Sequence, residues 1–287
     1  PVGCGPARHV PAMSRARVLT GGAANNSPRR TTVVDQLPIT LNQLEAISLA
    51  EMEEVKLLDR VDTKFLMTEE QLLQILQTVA PYYRILEAEG ARASRYRTQY
   101  YDTAGFALYF DHHNDRQNRY KVRSRTYVDS EVTFLEIKRK SNKGRTSKMR
   151  CQIPSIPDIL EGDNLAFVRE HYPADAWALQ SVIWNTFRRI TLVSNFRRER
   201  LTLDVDLRYG WGDRIGGLEG IAIAEVKQRK FSIDSDFVRE LRRHHIYRTG
   251  FSKYCAGISY VYPHLKANRF KRRELLIARL LRKRGTL

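Results

Sequence analysis

The sequence predicts an α+β fold built around a largely antiparallel β-sheet. Its β-rich segments follow one another with short polar connections, and helices interrupt them without the regular strand–helix alternation of a parallel sheet. In addition, several predicted strands have one charged face and one apolar face. If the apolar faces point outward onto flanking helices, the sheet becomes an antiparallel β-barrel tunnel with a polar, cationic lumen.

The chain divides into three predicted regions. Residues 1–38 are predicted as a disordered basic segment, because the first thirty residues hold five arginines and no acid and are rich in small residues. Residues 40–262 are predicted as one tunnel domain. Residues 263–287 are predicted as a basic amphipathic helix. We expect its apolar side to pack on the barrel, although its basic side also suits anionic lipid or nucleic acid.

Helical periodicity predicts the elements between the strands. A helix is expected over 41–58. A second helix begins at Thr68, where Thr68 and Gln71 form a capping box, and it ends before Pro81. Three more helices are expected over 158–172, 174–182 and 235–247.

Several segments show the alternation and the β-branched and aromatic residues of strands. The polar stretch SNKGRTSK joins two of them as a hairpin loop, and the segment from Phe251 to Lys253 is expected in a loop before a last strand. The predicted strands are 94–102, 118–127, 132–140, 147–153, 187–194, 199–208 and 219–227.

The segment TFLEIKRK shows the charge pattern most clearly. Because side chains alternate across a strand, Phe134, Glu136, Lys138 and Lys140 share one face. A solvated face usually mixes Ser, Thr, Gln, Lys and Glu, whereas Lys and Arg dominate here with isolated acids among them. The other charged faces are Lys121, Arg123 and Arg125; Arg200, Thr202, Asp204, Asp206 and Arg208; and Glu225 with Lys227.

The excess of cations favours a polyanionic ligand. The chain has 49 Lys and Arg against 32 Asp and Glu, a formal net charge of +17. Like charges inside a tunnel repel one another, and a phosphate chain would neutralise them, with Arg binding phosphate in bidentate fashion and Lys acting as a point charge. The isolated acids could hold a divalent metal ion that bridges phosphate oxygens. We expect no specific nucleic-acid partner, since RNP, helix-turn-helix and zinc-finger signatures are missing from the sequence.

The cysteines and the hydropathy indicate where the protein acts. The three cysteines are widely spaced and form no CxxC motif, so neither a disulfide framework nor a zinc site is expected, and a reducing cytoplasm fits. The sequence shows no apolar run long enough to cross a bilayer and no signal peptide. It does not indicate the oligomeric state.

Eight short motifs occur along the chain in a fixed order: RVDTKF (60–65), YYDT (100–103), KVRSRTY (121–127), FLEIKRK (134–140), FRRITLV (187–193), RLTLDVDL (200–207), AEVK (224–227) and FSKYCAG (251–257). Each motif alone is weak evidence for a family. Eight motifs in the same order, each with its charged residues on the matching strand face, are specific evidence. Together they resemble the VTC domain, a polyphosphate polymerase domain of the CYTH-like, or triphosphate tunnel metalloenzyme, superfamily, in its stand-alone bacterial type. The resemblance covers roughly residues 45–262.

The resemblance implies a phosphotransferase that moves the γ-phosphoryl group of ATP onto a growing polyphosphate chain. Its cofactor would be Mn²⁺ or Mg²⁺, and its partners would be ATP and polyphosphate or pyrophosphate. Glu225 would be the leading metal ligand, with Glu136 and Asp204 as second choices. The substrate-binding residues would be Lys121, Lys140, Lys148 and Ser252. The catalytic cations would be Lys64, Arg123, Arg125, Lys138, Arg189, Arg200, Lys227 and Lys253.

One position departs from the wider superfamily, whose first strand carries the pattern ExExK. Here Arg60 replaces the first acid, followed by Asp62 and Lys64, as expected in the VTC branch. The change removes a possible metal ligand and argues against simple triphosphatase chemistry. Two alternatives stay open: a triphosphatase of the same fold acting on organic or inorganic triphosphate, and a module that binds polyphosphate without catalysis. Glu225 discriminates between catalysis and binding, because only catalysis needs a metal ligand.

Overall fold

The structure of the protein, a computed structural model, describes residues 33–54, 60–143 and 145–283. Most of the predicted basic segment (1–32), the end of the helix predicted over 41–58 (55–59) and the end of the predicted C-terminal helix (284–287) lie outside the described residues. The helices are α1 Val33–Asn42, α2 Leu49–Glu54, α3 Glu69–Val79, α4 Ala107–His113, α5 Gly162–His171, α6 Asp236–Arg243, α7 Lys253–Val261 and α8 Lys271–Lys283.

The strands are β1 Ala46–Ile47, β2 Val61–Thr68, β3 Tyr83–Leu86, β4 Ser94–Thr103, β5 Arg119–Tyr127, β6 Val132–Lys140, β7 Thr146–Ile153, β8 Leu179–Ser194, β9 Glu199–Trp211, β10 Arg214–Gly217 and β11 Ile221–Gln228. Eight of them form one path in the order β2-β11-β9-β8-β4-β5-β6-β7, and each neighbouring pair is antiparallel. Strand β1 pairs with β3, which pairs with β8, and β10 pairs with β9. Among the described residues no pairing joins β7 to β2, so the barrel is open along that edge.

The apolar strand faces point outward and are covered by helices, as predicted. On β9, Leu201, Leu203 and Val205 are buried and belong to a core that includes residues of α1, α3 and α6. Helices α7 and α8 contribute to a second core, and α5 contributes to a third, over β4 to β7. Since alternate residues must point the other way, the polar residues of the same strands face inward.

Local sequence signals position two helices. Thr68 accepts a hydrogen bond from the Gln71 N–H at 3.2 Å, and the Thr68 N–H donates to the Gln71 side chain at 3.0 Å. The predicted capping box is therefore confirmed. Ser235 caps α6 in a simpler way, by accepting a hydrogen bond from the Val238 N–H at 3.2 Å.

The helix predicted over 41–58 is wrong. Helix α1 ends at Asn42, and α2 begins only at Leu49. Between them the chain forms β1, and the Ile47 carbonyl accepts a hydrogen bond from the Glu87 N–H at 3.0 Å. Pairing with β3 therefore overrides the helical periodicity of this segment.

Two predictions in the second half of the chain are also wrong. The helix predicted over 174–182 is a single 3-10 turn, Ala176–Ala178, because β8 already begins at Leu179. The strand expected after the loop from Phe251 to Lys253 is wrong, because the helix α7 begins at Lys253. Ser252 caps this helix by accepting a hydrogen bond from the Cys255 N–H at 3.2 Å.

A bulge divides the charged face predicted on β9. The register between β8 and β9 shifts at Thr186 and Arg188, and Asp206 adopts a left-handed φ of 54°. Asp204 stays on the inner face. Asp206 instead forms an ion pair with Arg188, and neither Asp206 nor Arg188 lines the interior. The two aspartates therefore do not share a face, because a bulge interrupts the alternation of side chains.

The C-terminal helix α8 packs its apolar side on the core. Leu276, Ile277, Leu280 and Leu281 contact the hydrophobic core that contains residues of β8, β9 and α7. Lys271, Arg272 and Arg279 of the same helix are exposed. None of the helices in the described residues has the length and hydropathy needed to span a membrane.

Candidate active site

The curled sheet surrounds a cavity of about 710 Å³, which we call the tunnel. Residues from all eight strands of the path line it, so the inward faces meet around one interior. Thirteen Lys and Arg residues line the tunnel against six Asp and Glu. The lumen is therefore cationic, as the charged strand faces predicted.

The structure brings the predicted cations together. Among the predicted substrate-binding residues, Lys121, Lys148 and Ser252 line the tunnel, while Lys140 lies beyond its end. The predicted catalytic cations all line the tunnel: Lys64, Arg123, Arg125, Lys138, Arg189, Arg200, Lys227 and Lys253. Their catalytic roles stay predictions.

Glu225 lies between two lysines on the tunnel wall. Strand β11 places it directly opposite Lys64 of β2, whose Nζ lies 2.8 Å from Glu225 Oε1. Lys227, two residues along the same strand face, places its Nζ 3.0 Å from Oε2. Burial alone would raise the pKa of Glu225, but Lys227 and Lys64 hold it well below its usual value. The carboxylate is therefore ionised at neutral pH.

Asp204 of β9 is held in the same manner. Arg189 of β8 lies opposite it and donates two hydrogen bonds, from Nε at 2.6 Å and from Nη2 at 2.8 Å. Lys253, the first residue of α7, forms a second ion pair with this carboxylate. Although burial opposes it, the two cations lower the pKa of Asp204.

Glu136 of β6 is the most enclosed of the three acids. Its side chain is 1% exposed and forms ion pairs with Arg123 of β5, at 2.7 Å, and with Lys148 of β7. Burial acts to raise its pKa, but Arg123 and the neighbouring cations lower it to about 2. Glu136 shares the inward face of β6 with Lys138, but unlike Glu225 and Asp204 it is not part of the tunnel lining. It therefore positions the cations that it pairs with, Arg123 and Lys148, from beneath their side chains.

Several tunnel cations are not matched by an acid. In the part of the chain that the structure describes, no acid lies within ion-pair distance of Lys121, Arg125, Lys138 or Arg200. Burial lowers the pKa of Arg125 to about 10, and the nearby charge of Arg123 adds to the shift. The protein therefore holds these charges at an electrostatic cost, which an anion in the tunnel would offset.

An aromatic pair supports the cations at one side of the tunnel. Tyr96 and Phe187 stack with their ring centroids 5.0 Å apart. The Arg125 guanidinium lies 5.4 Å from the Tyr96 centroid and 5.5 Å from that of Phe187, and Arg189 and Lys253 also contact the Phe187 ring. These rings stabilise positive charge without neutralising it.

The acids do not form a metal site by themselves. Among the described residues, no group of three His, Cys, Asp or Glu side chains comes together, because separate cations enclose each acid. Mg²⁺ in phosphate-transfer sites usually takes only one or two carboxylates from the protein and fills its coordination with phosphate oxygens and water. Glu225 fits this role better than Glu136, since it lines the tunnel and its side chain is 17% exposed.

Sequence reasoning missed three contributors to the site. Arg150 lines the tunnel opposite Glu136, and the two-residue alternation from Lys148 points to it. Tyr100 lies opposite Arg123 on β4. Burial alone would raise the pKa of Tyr100, but Arg123 and Arg125 lower it to about 8. Phe187 contacts the tunnel cations because of the path that β8 takes, and nothing in the local sequence indicates these contacts.

An antiparallel barrel whose lumen carries rows of Lys and Arg with isolated acids is the architecture that the resemblance to the triphosphate tunnel proteins implied. The family model of the VTC domain matches residues 59–262, and the chain belongs to this family. Proteins with this fold generally use divalent metal ions, and the family indicates an enzyme of phosphotransferase or triphosphatase type.

Comparison with solved structures found matches at low identity and with TM-scores below 0.5. A protein of Bacillus halodurans assigned provisionally as an adenylate cyclase is 13% identical, with a TM-score of 0.44 over 68% of this chain and 96% of that one. A Hippeastrum protein with the same provisional assignment, described as having a dominant triphosphatase activity, is 14% identical, with a TM-score of 0.45 over 70% and 96%. The PH1012 protein of Pyrococcus horikoshii is 8% identical, with a TM-score of 0.40 over 70% and 99%. A comparison with curated proteins found no match.

Proposed function

We propose that this protein is a metal-dependent polyphosphate polymerase, which transfers the γ-phosphoryl group of ATP to a growing polyphosphate chain inside the tunnel. The observation that supports this most strongly is the register of cations across three strands. Lys121 of β5 lies opposite Lys138 of β6, which lies opposite Lys148 of β7. Two residues along the strands, Arg123 and Arg150 line the tunnel on either side of the enclosed Glu136, in the same register. Successive rows of this kind suit a ligand that repeats its negative charge, as a phosphate chain does.

The tunnel residues provide positioning and charge neutralisation, which are the main requirements of phosphoryl transfer. In the proposed mechanism Arg123, Arg125 and Arg189 hold the β- and γ-phosphates, and Glu225 holds the divalent metal. Mn²⁺ or Mg²⁺ held by Glu225 would supply positive charge that neutralises the phosphates during transfer.

The acceptor is inorganic phosphate, pyrophosphate or the end of a polyphosphate chain, and Lys138 and Lys148 are suited to orient it for in-line attack. An anionic phosphate oxygen is already a nucleophile, so the reaction needs no general base. This agrees with the two acids at the centre of the tunnel, Glu225 and Asp204, each of which is already paired with two cations. We further propose that the protein acts in the cytoplasm, where its two described cysteines, Cys151 and Cys255, would stay free.

The proposal is tested by incubating the purified protein with ATP, Mn²⁺ and a pyrophosphate primer and separating the products on a polyacrylamide gel stained for polyphosphate. A ladder that is lost in the Lys227→Ala variant is the expected result. Free phosphate without a ladder would identify a triphosphatase instead. Bound ATP or polyphosphate with neither product would identify a binding module.

A further inference from the structure

A second cavity, of about 660 Å³, lies where β5 begins and β6 ends. We call it the vestibule. It shares part of its wall with the tunnel, since Lys64, Lys121 and Lys138 line both. Its cations outside the tunnel are Arg119, Lys140, Arg269 and Arg273. The vestibule is therefore continuous with the tunnel and extends its positively charged wall.

Two of these cations lie outside the part of the chain that matches the VTC family. Arg269 lies in the 3-10 turn Asn268–Phe270 and Arg273 lies in the first turn of α8, so both belong to the segment beyond residue 262. This segment is anchored on α4, because His113 Nε2 lies 2.8 Å from Asn268 Oδ1 and the Phe270 ring packs edge-on against His113 at 5.4 Å. The two arginines are thus carried by a fixed part of the structure.

The protein does not balance the charge of the vestibule. Seven Lys and Arg residues line it against two Asp residues. Asp115 already pairs with Arg119 at 2.7 Å, with most of its side chain exposed, and Asp62 pairs with Arg60 at 3.1 Å. Most of the vestibule cations therefore have no acid to neutralise them among the described residues.

Two buried nitrogen atoms in this wall also lack hydrogen-bond partners. Among the described residues, Arg119 Nε and His112 Nε2 are buried without a partner, and both residues line the vestibule. Such atoms are rare in folded proteins and call for an explanation. Burial, reinforced by the charges of Lys121 and Arg119, lowers the pKa of His112 to about 2. An anion in the vestibule would satisfy the nitrogens and reverse this shift.

The distance along the wall indicates the size of that anion. Six residues of β5 separate Arg125 in the tunnel from Arg119 in the vestibule, which is about 20 Å of strand. This is longer than a triphosphate group, so one triphosphate cannot reach both ends. A longer phosphate chain that starts in the tunnel would continue past Lys121 and Lys138 into the vestibule.

We propose that the vestibule is a second phosphate-binding site, which holds the distal part of a phosphate chain, and that Arg269 and Arg273 determine the preference for chains longer than a triphosphate. This inference rests on the proposed function, since it requires a phosphate chain in the tunnel.

The test compares the affinities of tripolyphosphate and long-chain polyphosphate for the full chain by calorimetry at one ionic strength. In the double variant Arg269→Gln/Arg273→Gln, the ratio of the two Kd values should shift against the long chain by roughly 10- to 100-fold, the effect of losing charge-assisted contacts. The control is Lys271→Gln/Arg272→Gln, which removes the same charge from exposed positions of α8. Its ratio should stay within about twofold of the wild type, since only screened surface charge is lost.

A further variant, Lys140→Gln, tests the vestibule without touching the packing of α8. Lys140 is exposed at the end of β6 and lines the vestibule but not the tunnel, so its loss should also shift the ratio against the long chain. If the two α8 double variants change the ratio of Kd values equally, the inference is overturned. It is also overturned if a single-stranded oligonucleotide displaces long-chain polyphosphate more strongly than it displaces tripolyphosphate. If the wild type binds neither phosphate ligand, the proposed function itself fails, which is a different result.

Discussion

The centre of the tunnel and the vestibule both carry an excess of positive charge, but the protein balances them differently. In the centre, Glu225, Asp204 and Glu136 are each shared between two cations. These ion pairs fix the positions of Lys and Arg before any ligand arrives. In the vestibule Asp115 pairs with Arg119 and Asp62 pairs with Arg60 of the tunnel wall, and Lys140 and Arg273 have no acid within ion-pair distance among the described residues. The fixed charges of the centre therefore suit the proposed phosphoryl transfer, and the unbalanced charges of the vestibule suit the proposed attraction of an anion.

The largest effect is expected from breaking the central ion pairs at Glu225. In Glu225→Gln the metal ligand is lost, so ATP turnover should fall by roughly 100-fold or more. Binding of tripolyphosphate without metal should persist or strengthen, since Lys64 and Lys227 are released from their shared acid. Steady-state kinetics and calorimetry measure the two effects, with Glu219→Gln on the exposed surface as control. If turnover and metal-free binding of tripolyphosphate fall to the same extent, Glu225 is not acting as a metal ligand.

A smaller effect is expected at Arg125, a central cation without an acid partner. In Arg125→Gln, tripolyphosphate affinity should fall by roughly 10- to 100-fold, because a buried charge-assisted contact is lost. The melting temperature of the empty protein should not fall, because repulsion from Arg123 is relieved at the same time. Arg188→Gln is the matched control, since Arg188 does not line the tunnel. A clear loss of stability with unchanged affinity would show that Arg125 is structural.

The pH dependence of phosphate binding tests the charge of the tunnel centre. Burial, opposed by Glu225, lowers the pKa of Lys227 to about 8. As the pH rises through this value the ammonium loses its proton, so the tunnel loses a positive charge and binds phosphate more weakly. We expect tripolyphosphate affinity to fall by roughly tenfold from about pH 7 to about pH 9. In Lys227→Met the slope should be shallower, and an unchanged slope would assign the titration to another group.

The smallest signal is spectroscopic. Tyr100 is one of 14 tyrosines, and its pKa lies at about 8 because Arg123 and Arg125 overcome the effect of burial. An ultraviolet titration should show a minor ionisation near this pH that disappears in Tyr100→Phe. Tripolyphosphate should shift it upward, since a bound anion offsets the two arginines. A step that does not respond to the ligand would place the anion elsewhere.

The barrel and most of its lining could be predicted from the sequence because strand alternation is a local property. Once β5, β6 and β11 were recognised, the inward direction of Arg123, Lys138 and Glu225 followed from a period of two residues. The same reasoning failed on β9, where a bulge at Asp206 interrupts the period. Nothing in the neighbouring sequence indicates that bulge.

Other features depend on contacts between distant parts of the chain. The segment before β2 looked helical, but its pairing with β3 is set by residues about forty positions later. The contact of α4 with the segment around Phe270 brings Arg269 and Arg273 to the tunnel end. Neither the cavity nor the unpartnered nitrogens of Arg119 and His112 can be seen in the sequence.

The most direct measurement of the central claim is a crystal structure of the protein with tripolyphosphate and Mn²⁺, using anomalous scattering to locate the metal. The account predicts phosphates between Arg123, Arg125 and Arg189 inside the tunnel, with the metal bound by Glu225 and phosphate oxygens. A tunnel without ligand, with phosphate bound only on the outer surface or along the basic side of α8, would contradict it.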